Sequence, residues 1–167
     1  MLDKCPICET SLPPYEWAAS GNQRIGCPVC GRYRIWEPPA TQAFYGVLKN
    51  RYLYSGAIRD LTERGVDVNI RNFDLLESVT VPDGPLAQID RIVLYVYRHT
   101  PSTDAKVKLL DNDYAIAYAK HAQEFKYLID RANELGYLDR HRNGSEDTCW
   151  LTINGWKHVA ELRKQSE

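Results

Sequence analysis

Apolar positions along this chain recur with a period of two in its first forty residues, then with helical spacing, and with a period of two again near the C-terminus. Residues 22–26 and 32–36 predict two short strands of a hairpin, the second alternating Tyr33 and Ile35 against Arg32, Arg34 and Trp36. Glu37-Pro38-Pro39 interrupts regular structure, after which Phe44, Val47 and Leu48 form one apolar stripe. Tyr54, Ala57, Ile58 and Leu61 form a second, at i, i+3, i+4 and i+7, with Gly65 where a helix C-terminal glycine belongs. Asn72 is placed to cap a short helix over 73–79, which Val81-Pro82-Asp83-Gly84 ends.

Pro85 suits the first turn of a further helix with Leu86, Ile89, Val93 and Val96 along one face and Pro101 beyond its end. The β-branched run over 92–97 fits a buried strand as well. The last third predicts a strand at 106–110, a short helix at 114–119 and a longer one at 121–135 ending at Gly136. A strand at 137–140, a polar turn over 141–147 and a strand at 148–152 follow, then a helix over 154–164 capped by Thr152. Counted from Pro85, this is the order of a winged helix-turn-helix. The predicted fold is mainly α with small β: a zinc ribbon at 1–38, a helical connector at 39–84 and a winged-helix-like domain at 85–167.

The composition adds limits. A chain of 167 residues, 44% hydrophobic and 11% aromatic, has ample material for a globular core. Twenty-one Lys and Arg against twenty-two Asp and Glu leave a net charge of −1, so any attraction to nucleic acid has to come from a local patch. The N-terminal MLDKCPIC lacks an apolar signal core, and no apolar run approaches the roughly 20 residues that span a bilayer, which predicts a cytoplasmic protein without a membrane partner.

Cysteine spacing is the strongest chemical signal. Cys5 and Cys8, then Cys27 and Cys30, form two C-x2-C pairs, the pattern of a four-thiolate zinc ribbon. Four such ligands leave no open coordination position, so the predicted Zn2+ is structural. Iron in a rubredoxin-like site and thiol redox use are the rival readings of the same C-P-x-C pairs, although Cys5 lies too near the N-terminus for the strand-then-helix setting of a redox pair. A ribbon of about forty residues buries too little apolar surface to stand alone, which is a physical reason for a metal. Gly31 fits a tight turn after Cys30, and Cys149 reads as a buried, inert thiol.

The helix over 121–135 buries Phe125, Leu128, Ile129, Ala132 and Leu135 and mixes three carboxylates with two cations on its other faces, a poor surface for groove reading. Lys126 and Arg131 on this helix, and Arg140 and Arg142 on the wing, are the candidate nucleic-acid contacts. A phosphate-cradling glycine loop, paired metal-binding histidines and a nucleophile elbow are all missing from the sequence, so no enzyme is expected. His99, His121, His141 and His158 are scattered and read as surface or helix-end residues, and Asp111-Asn112-Asp113 as a turn leading into the next helix.

Gly31-Arg32-Tyr33-Arg34-Ile35, Ser55-Gly56-Ala57-Ile58-Arg59, Asp113-Tyr114-Ala115-Ile116-Ala117 and Leu151-Thr152-Ile153-Asn154-Gly155-Trp156 follow the C-P-x-C pairs in order. In that order they resemble the N-terminal region of bacterial proteins in which a zinc ribbon and winged-helix-like segment precede a TIR-like nucleotide-binding domain. Ile153-Asn154 stands where that family carries Pro-Lys. The resemblance implies a regulatory module of antiviral defence, either a fragment of a longer effector or a free-standing relative. The expected partners are an effector domain or protein, TIR-like or nuclease, nucleic acid, or a second copy of the chain. A DNA-binding transcriptional regulator is the rival.

Overall fold

The structure, a computed structural model, describes residues 3–13, 22–36, 49–70 and 74–167. The stripe of Phe44, Val47 and Leu48, the break at Pro38-Pro39, the cap at Asn72 and the start of the 73–79 helix lie outside the described residues. The chain divides into two compact units, Met1–Val81 and Pro82–Glu167.

In the first unit, β1 (Asn22–Cys27) and β2 (Gly31–Trp36) form an antiparallel hairpin whose register pairs Asn22 with Trp36 and Cys27 with Gly31. Period-two patterning places Ile25, Tyr33 and Ile35 on the buried side. Helix α1 (Arg51–Glu63) turns Ala57, Ile58 and Leu61 toward the same core, as their spacing predicts, and Gly65 follows it at φ 74°. A third strand, β3 (Val68–Ile70), runs parallel to β2 and completes the sheet β1-β2-β3. The sequence did not predict this strand. Three residues are too short to declare a period, and the pairing depends on α1 returning the chain as a crossover. Within 73–79 the described part, Asp74–Ser78, is a 3₁₀ turn.

The second unit opens with α2 (Gly84–Arg98), with Pro85 in its first turn and Ile89, Ile92, Val93 and Val96 buried, so the β-branched run is helical. Strand β4 (Val107–Leu110) leads into a 3₁₀ segment, Asp111–Ala117, where the Asp113 carboxylate accepts the Leu110 N–H at 2.8 Å. The short helix expected at 114–119 is this 3₁₀ segment, which starts three residues earlier and ends at Ala117. Helix α3 (Ala122–Glu134) is capped by His121, whose Nδ1 accepts the Glu124 N–H at 3.2 Å. Helix α4 (Ile153–Gln165) is capped by Thr152, which accepts the Gly155 N–H at 3.0 Å. Phe125, Leu128, Ile129, Leu138, Leu151 and Val159 share the core with the buried face of α2.

The hairpin differs from expectation. Strands β5 (Leu138–Asn143) and β6 (Glu146–Leu151) pair as far as Asn143 and Glu146, so the turn is only Gly144-Ser145, with Gly144 at φ 62°. Residues 141–147 were expected to be a polar turn. Their charges are instead cross-strand partners: Arg142 lies opposite Asp147 and binds it through both carboxylate oxygens at 3.0 to 3.3 Å. Strand β6 lies between β4 and β5, giving the order β4-β6-β5. Together the units make a mixed α/β fold with two three-stranded sheets, richer in strand than expected. Among the described residues no helix is long and apolar enough to cross a membrane.

Candidate metal centre

Cys5 and Cys8 sit in a tight turn held by the Glu9 N–H on the Cys5 carbonyl and the Cys5 N–H on the Thr10 carbonyl, both at 2.8 Å. Cys27 ends β1 and Cys30 precedes β2, so the hairpin turn itself is the second knuckle. Each knuckle is followed by a left-handed residue, Glu9 at φ 63° and Gly31 at φ 97°. Glycine is required at the second for another reason too: a Cβ on Gly31 would fall 2.9 Å from the Thr62 hydroxyl.

The four sulfurs all lie within 4.8 Å of one another. Cys5 and Cys30 Sγ are 3.8 Å apart, and Cys8 and Cys27 Sγ 3.4 Å. A tetrahedron with metal–sulfur bonds of about 2.3 Å has edges of roughly 3.8 Å, so the cluster is sized for one ion. The donor set, four thiols with no oxygen ligand, suits zinc or iron. Cys5, Cys8, Cys27 and Cys30 would hold the ion, which would supply cross-linking of the two knuckles.

Electrostatics at the cluster favour a cation. Cys8 is held below its ordinary pKa by hydrogen bonds from Cys27, then Cys30 and Cys5, while Cys5 is pushed up chiefly by its bond with Cys27. Sulfurs this close cannot all ionise without a positive charge between them. The Val29 and Cys30 N–H groups point at Cys27 Sγ at 3.4 and 3.3 Å, as backbone donors do at metal-bound thiolates. Tyr33 Oη lies 3.0 Å from Cys5 Sγ, and burial, then the Cys5 charge, keeps this phenol protonated far above its usual range.

Helix α1 is part of the centre. Ser55, buried, places its hydroxyl 3.2 Å from Cys30 Sγ. Arg51 donates to the Pro6 and Ile7 carbonyls at 2.8 and 3.0 Å, and Arg59 to the Val29 carbonyl at 3.1 Å. One arginine therefore grips each knuckle. These supports are not apparent from cysteine spacing, but a signal for them exists. Arg51, Ser55 and Arg59 recur at i, i+4 and i+8, a polar stripe on one face of a helix whose other face is apolar.

The candidate nucleic-acid contacts are all engaged by carboxylates. Lys126 pairs with Asp111 at 3.2 Å and Arg131 with Glu134 at 2.5 Å. Arg140 reaches Asp130 at 2.8 Å, and Arg142 bridges Asp130 and Asp147. Asp147 is 3% exposed. Arg140, Arg142, Asp130 and Asp147 thus form one network joining α3 to the β5–β6 hairpin, while Lys126 and Arg131 pair elsewhere. Cys149 is buried, and its thiol is pushed up to about 12 by burial and by the charge of Asp147. His158 Nε2 lies 2.6 Å from an Asp90 carboxylate oxygen, with its ring stacked on Tyr137, joining α2 to α4.

Four cysteines from two knuckles thus form a metal-ready cluster in a mixed α/β chain. Comparisons with protein-family models, curated proteins and solved structures find no match.

Proposed function

We propose that this chain is a non-enzymatic, zinc-binding regulatory or adaptor module that acts through contacts with a partner protein. The closed four-sulfur cluster carries the reading: every coordination position of a tetrahedral ion would be filled by protein, which suits architecture and leaves no place for water or substrate. The second unit supports the rest. Its order of helix, strand, 3₁₀ turn, helix, hairpin and helix, with strand order β4-β6-β5, supports reading it as a winged-helix-like domain. The family resembled by the motifs makes an antiviral effector, TIR-like or nuclease, the partner class, in the cytoplasm of a bacterium.

Neutralised cations on α3 and the hairpin favour this reading over the rival, a DNA-binding regulator. Phosphate contacts supply most of the affinity of DNA binders, and Lys126, Arg131, Arg140 and Arg142 each already face an acid. The test is recovery of tagged full-length chain from its native host, with footprinting of its own promoter in parallel. Stoichiometric recovery of a nuclease or NAD-consuming enzyme is the expected result. A protected promoter site without such a partner would overturn the proposal.

A further inference from the structure

The arginines of the ribbon sheet are arranged differently from those of the second unit. Arg24 on β1 lies directly opposite Arg34 on β2, and Arg32 lies two residues from Arg34 on the same face. That face is opposite the buried row of Ile25, Tyr33 and Ile35.

Arg24, Arg32 and Arg34 line an open cleft of about 1020 Å³ together with Gly26, Gly65 and Asp67. A second open cleft of about 670 Å³ continues past Pro28, sharing Gly26, Arg32 and Thr62 with the first. The carboxylates among the lining residues are already engaged: Asp67 by Arg34 at 2.6 Å and Glu63 by Arg59 at 2.9 Å. Arg24 and Arg32 are exposed and supply the surplus positive charge. The space beside Gly26 is open, since a Cβ there would meet nothing within 4 Å.

Cross-strand neighbours stand about 5 Å apart and alternate residues of one strand about 6.7 Å, so Arg24 and Arg32, diagonal across the hairpin, form a short spaced row on one face. A row of this kind matches a polymer that repeats its negative charge. Proteins that read duplexes insert a convex helix or ribbon into a groove, whereas a concave basic track accepts a single chain. We propose that this face of the β1-β2-β3 sheet binds the phosphate backbone of single-stranded nucleic acid without sequence preference, with Arg24 and Arg32, the two cations of the face that no carboxylate among the described residues neutralises, as its phosphate contacts. The site lies outside the residues on which the adaptor reading rests.

The test is fluorescence anisotropy with zinc-loaded full-length chain and a labelled fifteen-nucleotide thymidine oligomer at several salt concentrations. At roughly 0.7 per phosphate contact on a single strand, two contacts give a log–log salt slope near −1.4, or about 7-fold weaker binding at 200 mM than at 50 mM. An Arg24→Gln, Arg32→Gln double variant should bring the slope close to zero with loss of affinity, whereas Arg24→Lys, Arg32→Lys, which retains the charge, should keep it. Retained zinc content and an unchanged circular-dichroism spectrum establish that each variant is folded. The proposal is overturned by absence of binding at 50 mM, by an unchanged slope in the glutamine variant, or by equal affinity for a polyglutamate peptide. Tighter binding to a fifteen-base-pair duplex also overturns it.

Discussion

Gly155 offers the sharpest test of the packing in the second unit. It is buried in the first turn of α4, against the backbone at Tyr137. A Cβ there would overlap the Tyr137 carbonyl oxygen and lie 3.0 Å from its carbon and 3.1 Å from Leu151 Cδ2. The carbonyl cannot simply step aside, because it accepts the Thr152 N–H at 3.1 Å while the Thr152 hydroxyl binds the Gly136 carbonyl. Overpacking against a fixed backbone costs about 1–3 kcal/mol, and disturbing the hydrogen bond adds about 1 kcal/mol. Alanine's higher helix propensity returns up to about 1 kcal/mol. With that full return, Gly155→Ala should destabilise the unit by about 1–3 kcal/mol and lower its Tm by roughly 4–24 °C. Thermal and urea unfolding followed by far-ultraviolet circular dichroism measure this, with Gly26→Ala as a control expected within about 0.5 kcal/mol of the parent. A Gly155→Ala protein as stable as the parent would refute the close approach of α4 to Tyr137.

Cys8→Ser or Cys27→Ser should reduce bound zinc from about one ion per chain to none by elemental analysis, with the sheet of the first unit lost and the unfolding transition of the second retained. Zinc affinity should weaken as pH falls, because protons compete for the thiolates, and a competitive chelator titration at several pH values reads this directly. Asp147→Asn should cost about 2 kcal/mol in urea unfolding, since it removes the buried charge that Arg140 and Arg142 share and leaves both arginines only Asp130. Cys149, with its thiol pushed up to about 12, should resist iodoacetamide at pH 8 in folded protein and react once denatured, as read by mass spectrometry.

The metal cluster was legible because its information is local: two pairs of cysteines at fixed spacing name their own chemistry. Helices α1 and α4 were legible for a related reason, as apolar spacing and the cap at Thr152 are properties of neighbouring residues. What escaped depends on partners distant in sequence. Charges over 141–147 look like a polar turn until Asp147 is seen opposite Arg142. Strand β3 exists only beside β2, and Ser55 acquires its role only when α1 is laid over Cys30. Glu9 carries no compositional mark of its left-handed backbone, which glycine would have supplied.

The parallel pairing of β2 with β3 has a consequence for biosynthesis. A neighbour that arrives only after a helical crossover leaves one border of β2 with bare amides and carbonyls while the nascent chain is still lengthening. Self-association during expression should therefore begin at that border, and slower translation at reduced temperature, which gives α1 time to fold back, is the condition that protects it.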